Sequence, residues 1–153
     1  MKYLILENIR SAHNVGAMFR TADGAGVSKI YLVGYTPTPI DRFGRPQPEI
    51  QKTSLGASDE IAWEQVAKTS DIIGALQADG YTVVAVEQAP RSVSLKDFPV
   101  PVKVAYIMGN EVTGIEEETL QLVDVVVEIP MLGTKESLNV ATTAGIVMYH
   151  GLV

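Results

Sequence analysis

The 153-residue chain contains no cysteine, and it has no apolar run long enough to span a membrane. The missing cysteine excludes disulfide bonds, thiolate metal sites and a cysteine nucleophile. The N-terminal residues MKYLILENIRS also lack the cleavage pattern of a signal peptide. Together, these absences predict a soluble, cytoplasmic protein.

Two phosphate-binding motifs are missing as well. No G-x-G-x-x-G follows a predicted strand, and no G-K-[ST] occurs anywhere in the chain. These motifs hold phosphate groups in dinucleotide-binding folds and in P-loop enzymes. A small dehydrogenase or hydrolase is therefore a weak alternative for this sequence.

The residues that are present predict a compact α/β protein. With 46% hydrophobic and 20% charged residues, the chain is expected to form one globular domain, residues 1–153, with a substantial core. Strands that alternate with helices are typical of a mainly parallel sheet with helices on both faces. The predicted strands are residues 2–8, 29–34, 81–88, 103–109 and 123–128, and the predicted helices start near residues 14, 69, 116 and 140.

The net charge of −6 is unevenly distributed. Residues 1–52 carry seven Lys or Arg and four Asp or Glu, whereas the remaining residues carry five and fourteen, so the two parts have net charges of +3 and −9. Such asymmetry is one indication of nucleic-acid contact. On charge alone an ordinary acidic protein is favoured, and the pattern predicts at most modest, salt-sensitive RNA affinity.

Two loops that follow predicted strands concentrate glycine and polar residues. The first reads GNEVTG (109–114), and its Glu111 either binds a ligand or orders the loop. The second reads IPMLGTKESLNV (129–140), in which Ser137 and Asn139 are either helix caps or ligand-facing side chains. Open α/β sheets bind ligands at the carboxyl ends of their strands, so both loops belong to a candidate site.

A third segment, NIRSAHNVGAMFRTADGAGV (8–27), follows the first strand. The sequence predicts that a helix begins near Asn14, which is then either its N-cap or a site residue. Arg20 is either a solvated surface base or a group that contacts substrate.

The segment 35–59 contains four prolines and two glycines, and it is predicted to be a long irregular loop. Arg42 and Arg45 flank Phe43 in this segment. Arginine and aromatic side chains suit phosphate contact and base stacking, so the loop is a candidate for RNA selection.

Together, the three motifs resemble those of the SpoU, or TrmH-like, RNA 2′-O-methyltransferases of the SPOUT superfamily. The N-terminal segment matches N-x-G-x-x-x-R, and the two later loops match G-N-E-x-x-G and I-P-M-x-G-x-x-x-S-L-N-V. The matches occur in order and cover nearly all of the chain. One departure is Ala141, which stands where many relatives have serine.

The resemblance implies an α/β fold whose C-terminal part forms a deep trefoil knot. It also implies a homodimer and an S-adenosylmethionine site in the knot, with no metal ion. Arg20 of one subunit would complete the site of the other. No extra RNA-binding domain is expected beside the catalytic one. The residues implied for the cofactor loops are Met108, Gly109, Ile129, Met131 and Leu138, with Gly133 shaping the loop.

The implied reaction transfers a methyl group to a ribose 2′-hydroxyl of tRNA or rRNA. Because arginine is a poor base at neutral pH, Arg20 is expected to bind phosphate and stabilise alkoxide character. A non-catalytic RNA-binding protein on the same fold is the alternative. The expected catalytic set is Arg20, Asn14, Glu111, Ser137 and Asn139, and the expected RNA-binding residues are Arg10, Arg42 and Arg45.

Overall fold

The computed structural model describes all 153 residues and contains one seven-stranded sheet. Every pair of neighbouring strands is parallel, and the strand order is β3-β2-β1-β6-β4-β7-β5. None of the helices combines the length and apolar character that a membrane crossing requires. The strands are β1 (Lys2–Glu7), β2 (Lys29–Val33), β3 (Ala62–Val66), β4 (Thr82–Val86), β5 (Val93–Ser94), β6 (Val104–Met108) and β7 (Val125–Glu128). The helices are α1 (Ala12–Gly24), α2 (Pro48–Ser54), α3 (Ala57–Glu60), α4 (Ser70–Ala78), α5 (Glu117–Leu122) and α6 (Val140–Tyr149).

The sheet separates two apolar cores, one on each face. Successive side chains of a strand point to opposite faces, so Leu4 and Leu6 of β1 belong to one core and Ile5 belongs to the other. The larger core contains residues of α1, α2 and α6, and the smaller one contains Ile73 and Leu76 of α4. The predicted parallel sheet with helices on both faces is confirmed.

The start of α1 differs from the prediction. The helix begins at Ala12, and its N-cap is Ser11, whose hydroxyl oxygen accepts a hydrogen bond from the Asn14 backbone N–H at 3.1 Å. Serine satisfies an unpaired first-turn amide as well as asparagine does. The Asn14 side chain is consequently available for other contacts.

The segment 35–59 is less irregular than expected, because it contains α2 and α3. Pro48 lies in the first turn of α2, where its missing N–H costs nothing, and the Gln47 side chain accepts a hydrogen bond from the Glu49 N–H. The helix packs closely on α1: a Cβ added at Gly16 would lie 1.8 Å from the Thr53 hydroxyl oxygen. Helix α2 is thus fixed by tertiary contact with α1.

Strands β3 and β5 were not predicted from the sequence. They are the two edge strands, and β5 has only two residues. β3 reads AWEQV and has no fully buried residue, so it shows neither an apolar run nor strict alternation. Trp63 of β3 packs against the larger core.

A buried carboxyl group connects β1 to the segments around α4 and α5. Glu7 is 2% exposed, and its Oε1 accepts hydrogen bonds from the hydroxyls of Thr69 at 2.5 Å and Thr119 at 2.6 Å. Its Oε2 accepts one from the Glu116 backbone N–H at 2.8 Å. Buried polar groups of this kind are stabilising only when all partners are present.

We expect Glu7→Gln to lower the free energy of unfolding by about 2 kcal/mol, because the carboxylate accepts three hydrogen bonds whereas the neutral amide has only one acceptor oxygen. Urea denaturation measures this change. The matched control is Glu64→Gln, since Glu64 pairs with Lys29 on the surface at 3.1 Å and exposed pairs contribute about 0–1 kcal/mol. Equal losses for the two variants would contradict the role assigned to Glu7.

Candidate active site

A cavity of about 470 Å³ opens at the carboxyl ends of β4, β6 and β7. Its walls come from residues within four stretches of the chain, 86–88, 108–115, 128–131 and 137–143, and from Leu120 of α5. This is the edge where parallel α/β sheets bind ligands. Its volume is in the range of small-molecule sites, about 300–1,000 Å³.

Seven of the eleven residues predicted for catalysis and cofactor binding line this cavity. Gly133 does not line it: a Cβ added there would meet no atom within 4 Å, and its backbone is not left-handed. The structure therefore shows no requirement for glycine at position 133. The predicted residues that do line the cavity are Met108, Gly109, Glu111, Ile129, Met131, Ser137 and Leu138.

The loop GNEVTG folds tightly back over Gly109. A Cβ on Gly109 would lie 2.5 Å from the Ile115 nitrogen, so only glycine fits there without a shift of backbone. Asn110 and Gly114 exchange two backbone hydrogen bonds, and the Asn110 Oδ1 accepts from the backbone N–H groups of Val112 and Thr113. The turn is thus closed by its own backbone and by one buried amide.

Asn110 also joins this loop to the end of β1. Its Nδ2 donates to the Asn8 carbonyl oxygen at 2.9 Å and to the Tyr35 hydroxyl at 2.8 Å. Asn8 has a left-handed φ of 53°, and its side chain accepts from the Tyr35 backbone N–H. Asn110 is therefore a structural residue of the site.

Glu111 connects the same loop to the start of α1. Its two carboxylate oxygens accept hydrogen bonds from the backbone N–H groups of Arg10 at 2.9 Å and Ser11 at 3.0 Å, and from the Asn14 Nδ2 at 3.5 Å. Partial burial favours the protonated form, but these donors outweigh it and hold the pKa of Glu111 below its usual value. Of the two roles predicted for Glu111, the structure shows that of ordering the loop.

Asn139 is the N-cap of α6, and its Oδ1 accepts from the backbone N–H groups of Ala141 at 2.8 Å and Thr142 at 3.3 Å. Its Nδ2 faces the Asn14 Oδ1 at 3.5 Å. Asn14 consequently lies between Glu111 and Asn139, and three of the five predicted catalytic residues form one cluster beside the cavity. Ser137 lies on the cavity wall.

Arg20 lies apart from this cluster. It lines a second, shallower cleft of about 580 Å³ between α1, α2 and the end of α6. His13 and Lys52 line the same cleft, which contains no acidic residue. Neither Arg20 nor Lys52 forms an ion pair. Within one chain, then, the predicted catalytic arginine does not reach the cavity.

Two of the predicted RNA-binding arginines surround an exposed aromatic ring. Phe43 is 66% exposed, and the guanidinium groups of Arg42 and Arg45 lie 4.8 and 5.0 Å from its ring centre. Arg45 also pairs with Asp41 at 2.9 Å, and backbone and side-chain hydrogen bonds from Arg45 lower the pKa of Asp41. Arg42 forms no ion pair.

The sequence reasoning missed several residues of the cavity. Glu87 and Gln88 follow β4 directly, and the rule that ligands bind at the carboxyl ends of parallel strands would have found them. Glu87 accepts hydrogen bonds from the backbone N–H groups of Ile115 at 2.9 Å and Gln88 at 3.1 Å. Glu128 and Thr143 also line the cavity.

Comparison with known proteins identifies the family. The model of the SpoU rRNA methylase family matches residues 1–149. The chain belongs to this family. The match includes all three motif-bearing segments and therefore every element around the cavity.

Two curated members of the SpoU family illustrate the similarity. A 23S rRNA (guanosine-2′-O-)-methyltransferase of Neisseria meningitidis is 32% identical over 145 residues, which are 95% of this chain and 55% of that protein. A tRNA (guanosine(18)-2′-O)-methyltransferase of Borreliella burgdorferi is 30% identical over 151 residues, or 97% of this chain and 65% of that one. The chain thus spans only 55–65% of the length of these relatives.

Two solved structures have the same fold as this chain. An AdoMet-bound rRNA methyltransferase from Sinorhizobium meliloti superposes with a TM-score of 0.87 at 32% identity, over 97% of this chain and 54% of the other. A protein studied for 2-OH methylation of C/U34 on tRNA superposes with a TM-score of 0.83 at 24% identity, over 99% of this chain and 94% of the other. The latter likeness concerns the fold alone.

The depressed pKa of Glu111 makes a testable contribution to stability. A carboxylate whose pKa is lowered by folding stabilises the protein above its ordinary value of 4.5, and that stabilisation is lost as the pH falls through the folded-state value. We expect Glu111→Gln to lower the free energy of unfolding by about 1 kcal/mol at pH 7. The difference from the wild type should narrow as the pH falls below 4.5.

Chemical denaturation at several pH values measures this difference. Glu60→Gln is the control, because Glu60 is exposed and its side chain makes no hydrogen bond. If the difference in free energy of unfolding between the wild type and Glu111→Gln stays constant from pH 7 to strongly acidic pH, the Glu111 contacts do not depend on its charge.

Proposed function

We propose that this protein transfers a methyl group from S-adenosylmethionine to a ribose 2′-hydroxyl of tRNA or rRNA. The observation that carries the proposal is the cavity at the carboxyl edge of the sheet, which the second and third family motifs line together. Membership of the SpoU family and the 2′-O-methyltransferase activity named for its relatives support the same conclusion. Residues 1–153 act in this proposal as one catalytic domain.

The cavity suits an adenosine linked to a charged sulfur centre. Apolar side chains of Met108, Ile129 and Leu138 line it, and the glycine at position 109 brings backbone close to its interior. The carboxyl groups of Glu87 and Glu128 give it an acidic side, which favours a cationic ligand. Bound S-adenosylmethionine supplies an electrophilic methyl group on its sulfonium sulfur.

The residues of the chain contribute mainly by positioning. Displacement at a methyl carbon needs the attacking oxygen held in line and near contact, and such orientation accounts for much of the rate enhancement. Glu111, Asn14 and Asn139 hold the starts of α1 and α6 against each other beside the cavity. In our proposal this cluster and Ser137 orient the ribose at the cavity mouth.

To act on the cavity, Arg20 requires a second copy of the chain. It lies in the cleft with Lys52, outside the cavity of its own chain, and it has no acidic partner. We propose a homodimer in which Arg20 of one subunit faces the cavity of the other and binds the phosphate beside the target ribose. There its positive charge stabilises the developing alkoxide, while a phosphate oxygen or water accepts the hydroxyl proton.

Exposed apolar side chains near this cleft support such an interface. Leu55, which lines the cleft, is 66% exposed, and Ile146 on α6 is 40% exposed. Because α6 packs on α1, a partner that covers α6 would approach the cleft as well. The interface and the location of Arg20 are therefore compatible.

Substrate selection is assigned to basic and aromatic residues outside the cavity. Phe43 offers an exposed ring for base stacking, and Arg42 is free to contact phosphate. Arg45 contributes less charge because Asp41 pairs with it. Arg10 is exposed beside the Glu111 carboxylate, so it would contact RNA at the cavity mouth.

The proposal includes the trefoil knot that the family resemblance implies. After β7 the chain lines the same cavity as the residues that follow β4 and β6, although β4 lies between β7 and β6 in the sheet, and it continues as α6 against α1 and β6. This return across neighbouring strands, beside the loop 109–114, supports a threaded connection. We also propose that the protein acts in the cytoplasm, where its RNA substrates occur.

Calorimetric titration with S-adenosylmethionine and S-adenosylhomocysteine, without RNA, tests the cofactor site. We expect saturable binding of one ligand per chain, and at least tenfold weaker binding for Gly109→Ala because the new Cβ meets the Ile115 nitrogen at 2.5 Å. Gly74→Ala is the matched control, since a Cβ there meets no atom within 4 Å. If the wild type binds neither ligand, the RNA-binding alternative is favoured over the enzyme.

Transfer of labelled methyl groups to bulk tRNA and rRNA, isolated from a strain that lacks the gene, tests the role of Arg20. We expect Arg20→Ala to lower the rate by a factor of about 100 or more, as loss of a charge-stabilising group does. Arg20→Lys should recover only part of the activity, because lysine lacks the bidentate geometry. Near-full turnover of Arg20→Lys would contradict a bidentate role.

Mixing two impaired variants, Arg20→Ala and Gly109→Ala, at a methyl-donor concentration too low to saturate Gly109→Ala, tests the dimer. A mixed dimer of Arg20→Ala and Gly109→Ala chains contains one site with an intact cavity and an intact partner arginine, so activity should return if Arg20 acts across the interface. No recovery of activity in the mixed dimers would reject the shared site.

A further inference from the structure

The loop between β7 and α6 is weakly attached to the rest of the protein. None of the backbone groups of residues 129–138 hydrogen-bonds to another backbone group. Residues 132–138 are all exposed, and the Leu132 side chain is 96% exposed. Yet Met131, Ser137 and Leu138 of this loop form one wall of the cavity. A contact from another part of the chain must therefore hold the loop in the position in which it forms this wall.

A single side chain makes the one hydrogen bond between residues 129–138 and the rest of the chain. The Gln88 Nε2 donates to the Glu136 carbonyl oxygen at 2.9 Å. Gln88 follows β4, lines the cavity itself, and is anchored by its backbone N–H, which donates to the Glu87 carboxylate at 3.1 Å. Glu87 in turn accepts from the Ile115 N–H, so the end of β4 contacts both cavity loops.

We propose that Gln88 is a positioning residue that holds the loop 129–138 against the cavity for binding of the methyl donor. The proposal rests on the function proposed above, and it assigns Gln88 a role through the loop rather than through the reacting atoms. Without this hydrogen bond the loop would populate open conformations. Apparent ligand affinity then falls in proportion to the closed fraction.

Gln88→Ala and Gln88→Glu test this role. Both remove the donor, and Glu keeps the size of the side chain while presenting an oxygen to the Glu136 carbonyl. We expect the dissociation constant for S-adenosylhomocysteine to rise about threefold to tenfold in both, as for loss of one neutral hydrogen bond. Trypsin should also cleave the unliganded variants faster after Lys135, which lies in the exposed loop.

The matched control is Gln77→Ala. Gln77 also donates from its Nε2 to a backbone carbonyl, that of Leu122 at 3.1 Å, but it does not line the cavity. This variant should leave both the dissociation constant and the cleavage rate unchanged.

Unchanged affinity and unchanged cleavage in Gln88→Ala would overturn the proposal, as would equal changes in Gln77→Ala. If the wild type binds no S-adenosylhomocysteine, the proposed function fails. The cleavage rate after Lys135 then still decides, without any ligand, whether Gln88 holds the loop.

Discussion

The tight turn of the loop 109–116 over Gly109 is the constraint on which the site depends. The loop approaches so closely that a Cβ at Gly109 would meet the Ile115 nitrogen at 2.5 Å. Three carboxyl groups hold it there: Glu7 and Glu87 accept its backbone N–H groups, and its own Glu111 accepts those at the start of α1. Backbone donors that would otherwise be unpaired at the edge of the sheet are thereby satisfied.

The hydrogen bonds around this loop both stabilise the fold and set the shape of the cavity. The carboxyl groups that accept the loop amides come from the end of β1 and the residue after β4. Glu111 accepts the two amides that precede the first residue of α1, and Asn139 caps its own helix, α6. Because Glu111 binds backbone amides of a different segment, it fixes the loop 109–116 relative to the start of α1. The cavity walls are consequently set by the same hydrogen bonds that close the fold, except for the loop 129–138.

The sequence was sufficient to predict the buried strands of the fold but not the strands at the edges of the sheet. Strands β1, β2, β4, β6 and β7 have continuous apolar runs and were predicted, whereas the edge strand β3 has no fully buried residue and was not. Helix α2 was not predicted either, because it is fixed by packing on α1 at Gly16, a tertiary contact that the local sequence does not show. In the site, motif residues were found, but Glu87 and Gln88 were missed because their roles depend on which loops meet at the end of β4.

Arg20 lies outside the cavity of its own chain, and the charges around the two sites explain this separation. A cation placed in the acidic cavity would be neutralised by Glu87 or Glu128, and it would also oppose a sulfonium ligand. In the separate cleft Arg20 and Lys52 remain unpaired and free for phosphate. In the dimer proposed above, the two chains together would provide what one continuous pocket does not: an acidic site for the proposed methyl donor and a basic site for the proposed RNA substrate. Such a local basic cleft is what the proposed RNA binding requires in a chain whose net charge is −6.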